Sequence, residues 1–306
     1  MTEAGELLRQ WRHRRGLSQL ALAGAAGVSA RHLSFVETGR SRPSRAMLLR
    51  LGEHLDVPLR ERNALLLAAG LAPAYPERRL DDPPMAAVAD AVARILAAYE
   101  PYPALVVDRH WELVDANGAV ALLTAGCAPA LLEPPCNVLR LCLHPDGLTP
   151  RILTLGSWRA HLLARLRHQV NATGDPQLHE LLEELRAYPA PPAEPAPHAA
   201  PVVPIRLAAP DGRELAFLST TTLFGTPGDV TVDELAIEAF LPADDATATA
   251  LGHSRDAGSL VAPPVRRPAQ PADDLPTRTS SETRAPTAAE SAETTTGAGV
   301  GPGGPA

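Results

Sequence analysis

Leu33 and Val36 lie three residues apart in a short, otherwise polar stretch, and that spacing predicts a helix over residues 30–38 with one apolar face. Ser29 stands where it caps that helix, and Gly39 where it ends it. The preceding segment is built alike. Ser18 caps a helix, small Ala23 and Ala26 let a neighbour approach, Gly27 supplies the left-handed turn, and Val28 plugs the corner. Beyond Pro43 and Ser44, the residues Met47, Leu48, Leu51 and Leu55 mark the core face of a further helix, and residues 59–69 predict the next, closed by Gly70. Four prolines within residues 71–84 then break the pattern and predict a linker.

After the linker the periodicity changes. Val88, Val92, Ile95, Leu96 and Tyr99 keep helical spacing over residues 85–99. Residues 104–107 and 111–114 read as strands on either side of a tight turn at Asp108, Arg109 and His110. Residues 117–124 predict a short helix, and 157–170 and 177–188 two longer ones. A Pro-rich loop over residues 189–201 leads to three strands, 202–208, 213–223 and 229–240, with turns at residues 210–212 and 225–228. This order predicts an α+β domain over residues 85–243, with a five-stranded antiparallel sheet, helices on one face and a PAS-like outline. Residues 244–306 hold Ala, Thr, Pro, Gly and Ser with almost no large apolar side chains, so a disordered tail is expected there.

Charge sharpens this division. The 306-residue chain carries a net charge of −7, and all 28 of its basic residues are Arg. Residues 1–70 nevertheless hold eleven Arg against six acidic residues, a local net of +5. That excess suits a small module docking on phosphates. Cys127, Cys136 and Cys142 are odd in number and imply reduced thiols in a cytoplasmic protein rather than a disulfide framework. Residues 1–15 do not read as a signal peptide, and no apolar run approaches the roughly 18 residues of a membrane span.

Residues 17–39, LSQLALAGAAGVSARHLSFVETG, resemble the phage-repressor-type (XRE/Cro) helix-turn-helix, and GRSRPS ahead of the fourth helix is also typical of it. The resemblance implies an all-α, lambda-repressor-like domain over residues 1–70 that binds double-stranded DNA, in a transcription regulator acting as a homodimer. Carried over by position, it places Gln19 on a phosphate. It places Ala30, Arg31 and Phe35 at base-reading positions, and Ser29 and His32 at backbone contacts. Thr38, Arg40 and Arg42 lie beside the following phosphates, and Arg12 with Glu37 forms a structural ion pair between the first and third helices. Ala30 and Phe35 depart from the polar residues common there. Phe35 either meets a thymine methyl or packs inward.

The second domain also resembles a known family. WELVDANGAVALL, NVLRLCLHPDGLTPRI and GSWRAHLLARLRHQ are similar to the MmyB-type ligand-binding domain found behind such reading heads. This implies a PAS-like fold and a small lipophilic, fatty-acid-like ligand. Leu139, Leu141, Leu143, Leu155, Leu162, Leu163 and Leu166 are candidate pocket or core residues. Arg140, Arg151 and Arg159 are candidate partners for a carboxylate, and Trp158 serves either as packing or as a binding platform. The alternative is a dimerisation or protein-partner module without ligand. No Gly-rich phosphate loop, nucleophile elbow or paired acidic motif occurs, and His144, His161, His168 and His179 match no usual metal spacing. No enzymatic activity, metal or cofactor is therefore expected.

Overall fold

Serine hydroxyls start three of the first five helices in the computed structural model, which describes residues 3–189 and 202–252. These helices are α1 (Glu3–Arg14), α2 (Gln19–Ala25), α3 (Ala30–Glu37), α4 (Arg45–His54) and α5 (Leu59–Ala68). Ser18 Oγ accepts from Ala21 N at 3.0 Å, Ser29 Oγ from His32 N at 3.0 Å and Ser44 Oγ from Met47 N at 3.2 Å. Each such cap is worth about 1 kcal/mol. Gly27, at φ 63°, makes the turn between α2 and α3. Leu8, Trp11, Leu22, Leu33, Val36 and Leu51 close a core beneath them. Gly5 lets α1 lie against the end of α3: a Cβ there would overlap the Val36 carbonyl oxygen and reach 2.9 Å from that of Glu37.

The residues after α5 are pinned rather than loose. Asn63 Oδ1 accepts from Ala74 N and Tyr75 N, and Arg45 Nη1 donates to the Ala72 carbonyl. Val230 N donates to the Pro76 carbonyl, and Arg78 pairs with Asp229 at 3.1 Å.

Strands β1 (Ala104–Val107), β2 (Leu113–Ala116), β3 (Ile205–Ala208), β4 (Glu214–Leu223) and β5 (Ala236–Pro242) form one sheet in the order β2-β1-β5-β4-β3, antiparallel throughout. One face carries α7 (Ala121–Thr124), α8 (Val138–Leu143), α9 (Leu155–Thr173) and α10 (Pro176–Ala187) over a core that includes Leu105, Val107, Leu139, Leu166, Leu182 and Phe217. Helix α6 (Ala86–Ala98) covers the other face, where Val92 and Leu96 meet Ala104, Val106, Ile237 and Ala239. The expectation of helices on one face only is thereby corrected. All four β1 residues are apolar, so both of its sides require cover.

Three further expectations change. Residues 229–240 do not run as one strand, because the Asp229 side chain accepts from Thr231 N and starts the short helix α11 (Val230–Glu234). Strand β2 starts at Leu113 rather than 111, because Trp111 sits in the turn at φ 68°. The expected disordered tail opens with helix α12 (Asp245–Ala250), where buried Thr247 accepts the Ala216 amide through Oγ1 at 2.9 Å. That hydroxyl, with Ala250 and Leu251 packed against the core and Ala243 N donating to the Ala216 carbonyl, fixes a segment that has little apolar surface of its own. The remainder of that expected tail lies outside the described residues, as does most of the Pro-rich loop.

Gly5→Ala is expected to destabilise the protein by about 1–3 kcal/mol through overpacking between α1 and α3. Thermal melting of the full chain checks this, and an unchanged Tm would contradict the close approach.

Candidate nucleic-acid interface and ligand cavity

Short helix α3 offers one face to the core and the other to solvent. Leu33 and Val36 are fully buried, whereas Ser29, Arg31, His32, Thr38, Arg40 and Arg42 are exposed. The Phe35 ring is half-buried and carries both arginines: Arg31 Cζ lies 5.3 Å and Arg40 Cζ 6.0 Å from its centroid. The ring thus neither packs fully inward nor stands free, and it presents two guanidinium groups on one surface. Ala30 leans on the helical core, which leaves little of it for a base edge. Thr38 Oγ1 donates to the Ser34 carbonyl of its own helix at 2.8 Å.

Behind that face sits a buried ionic network. Arg12 and Glu37 are 7% and 1% exposed, and the guanidinium meets both carboxylate oxygens, Nε to Oε1 at 2.7 Å and Nη2 to Oε2 at 2.8 Å. Gln19 Nε2 donates to the same Oε2 at 2.7 Å, so its side chain is turned toward Glu37 and not only outward to a phosphate. Burial alone pushes the Glu37 carboxyl up. The hydrogen bonds from Arg12 and Gln19, with the Arg12 charge, outweigh it and hold the group below the usual carboxylate range. The pair fixes α1 to α3 and so sets how far the outward face of α3 projects.

In the second domain an apolar cavity of about 100 Å³ lies between the sheet and its helical cover. Leu105, Leu139, Leu141, Leu162, Ile205 and Phe240 line it, as does Trp158. The Trp158 ring stacks on His161 with centroids 5.4 Å apart, and its Nε1 donates to Cys142 Sγ at 3.3 Å. Burial pushes the Cys142 thiol up to about 11, so it stays protonated at neutral pH. Of the other predicted leucines, Leu143 and Leu166 are ordinary core, and Leu155 and Leu163 pack against its edge.

Arg140, Arg151 and Arg159 do not line the cavity. Arg140 holds Glu184, with Nη2 to Oε2 at 2.8 Å. Arg151 donates to the carbonyls of Leu122, Leu123, Ala125 and Ala208 and ties the end of α7 to β3. Arg159 donates to the Leu185, Arg186 and Tyr188 carbonyls and caps α10. Carbonyls and carboxylates already exposed at helix ends attract these side chains more effectively than an apolar space does.

The charged groups that reach the cavity are Arg165 and Glu238, which the sequence reading missed. A signal was present in the sequence. Trp158, Leu162, Arg165 and Gln169 follow one helical stripe, and Glu238 shares its strand face with Ala236 and Phe240. Each is a charge on a core-facing register. Arg165 also lies over the Trp111 ring, 4.6 Å from its centroid.

Trp111 and Arg165 wall a second space as well. A cleft of about 510 Å³ opens on their far side toward the reading head, bordered by Arg60, Glu61, Arg109 and Glu234. Across it Arg60 Nε meets Glu234 Oε1 at 2.7 Å, Leu59 N donates to Asp233 Oδ2 at 3.2 Å, and Arg14 Nη1 donates to the Thr173 carbonyl at 2.7 Å. Burial pushes the Glu61 carboxyl up. Among the described residues no group of three His, Cys, Asp or Glu gathers as for a metal ion, and no helix is long and apolar enough to cross a membrane.

Residues 88–253 match the family described as MmyB-like transcription regulator ligand binding domain, and residues 3–65 match a helix-turn-helix domain. The restriction-modification controller protein C.AhdI from Aeromonas hydrophila is 34% identical over 20% of this chain and 92% of its own, with a TM-score of 0.19. The clp gene regulator ClgR from Corynebacterium glutamicum is 26% identical over 33% and 93%, with a TM-score of 0.20. An RNA-binding Light-Oxygen-Voltage receptor is 15% identical over 79% and 60%, with a TM-score of 0.23. No curated protein matches the chain.

Arg31→Ala is expected to relax preference at one operator position by about 1–3 kcal/mol while nonspecific affinity holds. Arg42→Ala is expected to weaken every sequence alike and to lower the salt slope by about one. Titrations of matched and mismatched duplexes at several salt concentrations check both, and identical behaviour of the two variants would contradict the assigned roles. Glu37→Gln is expected to cost about 3–5 kcal/mol at neutral pH, because it leaves Arg12 buried without its counter-ion. Since the folded carboxyl titrates below its unfolded value of about 4.3, this advantage is present above that pH and fades as pH falls through the lower, folded value. Melting curves of both proteins between neutral and acid pH should therefore converge on the acid side, and a constant gap would argue against the pair.

Proposed function

The chain belongs to the MmyB-like transcription regulators, DNA-binding helix-turn-helix proteins with a ligand-binding domain, and from that premise we propose that a small lipophilic molecule in the apolar cavity controls how the reading head is held. The head binds an operator as a homodimer, with half-sites about one helical turn apart. Arg31 and Phe35 read bases, while Ser29, His32, Arg40 and Arg42 meet the backbone. Residues 1–70 form the DNA-binding domain and residues 85–252 the sensing domain, with the pinned segment between them as a strut.

The observation that carries this reading is the shared wall of Trp111 and Arg165. From it a path of hydrogen bonds and ion pairs leads to the head. Trp111 Nε1 donates to Gln169 Oε1 at 2.9 Å, and Gln169 Nε2 donates to the Arg109 carbonyl at 3.0 Å. Arg109 Nη1 lies 3.6 Å from Glu234 Oε1, and Glu234 holds Arg60 at the start of α5. Trp111 itself sits in the left-handed region, which costs a bulky residue about 1–3 kcal/mol and persists only where its surroundings enforce it. A guest that displaces the indole releases that restraint and shifts the path. It shifts the equilibrium only by its affinity difference between the two arrangements.

The small cavity volume favours a second reading, in which the domain serves dimerisation or a protein partner and holds no guest. Genome-wide mapping of bound sites, paired with native mass spectrometry of the purified chain, separates the two. A palindromic motif together with a co-purifying apolar molecule is the expected result. A motif with a dry protein would favour the partner module, and the absence of any motif would end the operator reading.

A further inference from the structure

Resting on the reading of the cavity as a ligand site, we propose that its guest is an uncharged apolar molecule with one hydrogen-bond-accepting oxygen, such as an alcohol, ketone, ester or lactone, and that carboxylates are rejected. The argument is one of charge balance. The charged groups lining the space are Arg165 and Glu238, and they already neutralise each other. Arg165 Nη1 donates to Glu238 Oε2 at 3.0 Å and Nη2 to Oε1 at 2.5 Å. Thr221 Oγ1 accepts from Arg165 Nη2 at 2.8 Å and donates to Glu238 Oε1 at 2.9 Å. Glu238 is 3% exposed.

A guest carboxylate meets this pair in one of two ways. It places a second anion beside one guanidinium, or it takes Arg165 away and leaves Glu238 buried without a counter-ion. Either is strongly unfavourable in so apolar a place. Arg140, Arg151 and Arg159 give no relief, being held by Glu184 and by backbone carbonyls. An ammonium guest fares no better, since it brings a second cation beside Arg165 with only one buried anion between them.

A neutral oxygen avoids both penalties. The guanidinium has five N–H donors, and Glu238 and Thr221 take three of them. A carbonyl or hydroxyl oxygen can accept a remaining one without disturbing the pair. The Ser219 hydroxyl lines the same space and offers a second contact. As it stands the space takes only a short chain, since about 100 Å³ is below the roughly 150 Å³ of an engineered cavity that takes benzene. A longer chain enters only as the leucines and Trp111 give way.

Titration calorimetry of the full chain with 1-octanol, methyl heptanoate, octanoate and octylamine at pH 7.5 tests the proposal. The alcohol and the ester are expected to bind at least about tenfold more tightly than either ion. Glu238→Gln removes the internal anion, frees Arg165 for a guest and is expected to raise octanoate affinity about tenfold while octanol changes little. Octanoate binding most tightly to the wild-type protein would overturn the head-group assignment and leave the ligand reading intact. Binding of none of the four would overturn both. The wild-type ranking decides the question even if the variant fails to fold.

Discussion

A carboxylate taken out of water has few stable surroundings, and a guanidinium set against both its oxygens is the most effective of them. Both working parts of this protein are organised around that constraint. In the reading head Arg12 grips Glu37 and fixes α1 to α3, which sets the outward projection of Arg31 and Arg40. In the sensing domain Arg165 grips Glu238 and closes the polar end of the cavity. Neither pair is a strong source of net stability, because desolvation offsets most of the attraction. Each instead makes one arrangement of the surrounding helices far better than its neighbours.

The two pairs differ in what lies beside them. Glu37 has Gln19 as a third member, wholly inside the head. Arg165 has the Trp111 indole, which belongs to the turn between β1 and β2 and borders the cleft toward the head. That turn also carries Arg109 and His110, and His110 Nε2 lies 3.0 Å from Asp175 Oδ2 at the start of α10. One tight turn therefore touches the cavity wall, the cap of a cover helix and the ionic contact with α5. The reading head and the sensing domain pack within one compact unit, so a shift of this turn has somewhere to go.

Much of the reading head was legible because its signals are local. Ser18, Ser29 and Ser44 cap the helices they precede, and Gly27 makes the turn its position required. The outline of the sheet was legible for the same reason, since Pro210, Asp211 and Gly212 mark a turn whatever surrounds them. Which arginine reaches the cavity was not legible. Arg140, Arg151 and Arg159 differ from Arg165 only in which side of a helix faces which neighbour, and that depends on packing between segments far apart in the chain.

The sequence by itself determined where the helices of the reading head start and stop, which face of α3 is polar, and that the basic excess gathers in the first 70 residues. These follow from backbone preferences and the 3.6-residue period, which act within a turn or two of chain. Only the tertiary structure decided that α6 covers the back of the sheet, that Thr247 anchors α12, and that residue 165 meets residue 238 across 73 positions. Those outcomes arise from burial, where each apolar face and each lost water contact must find a partner from elsewhere in the chain.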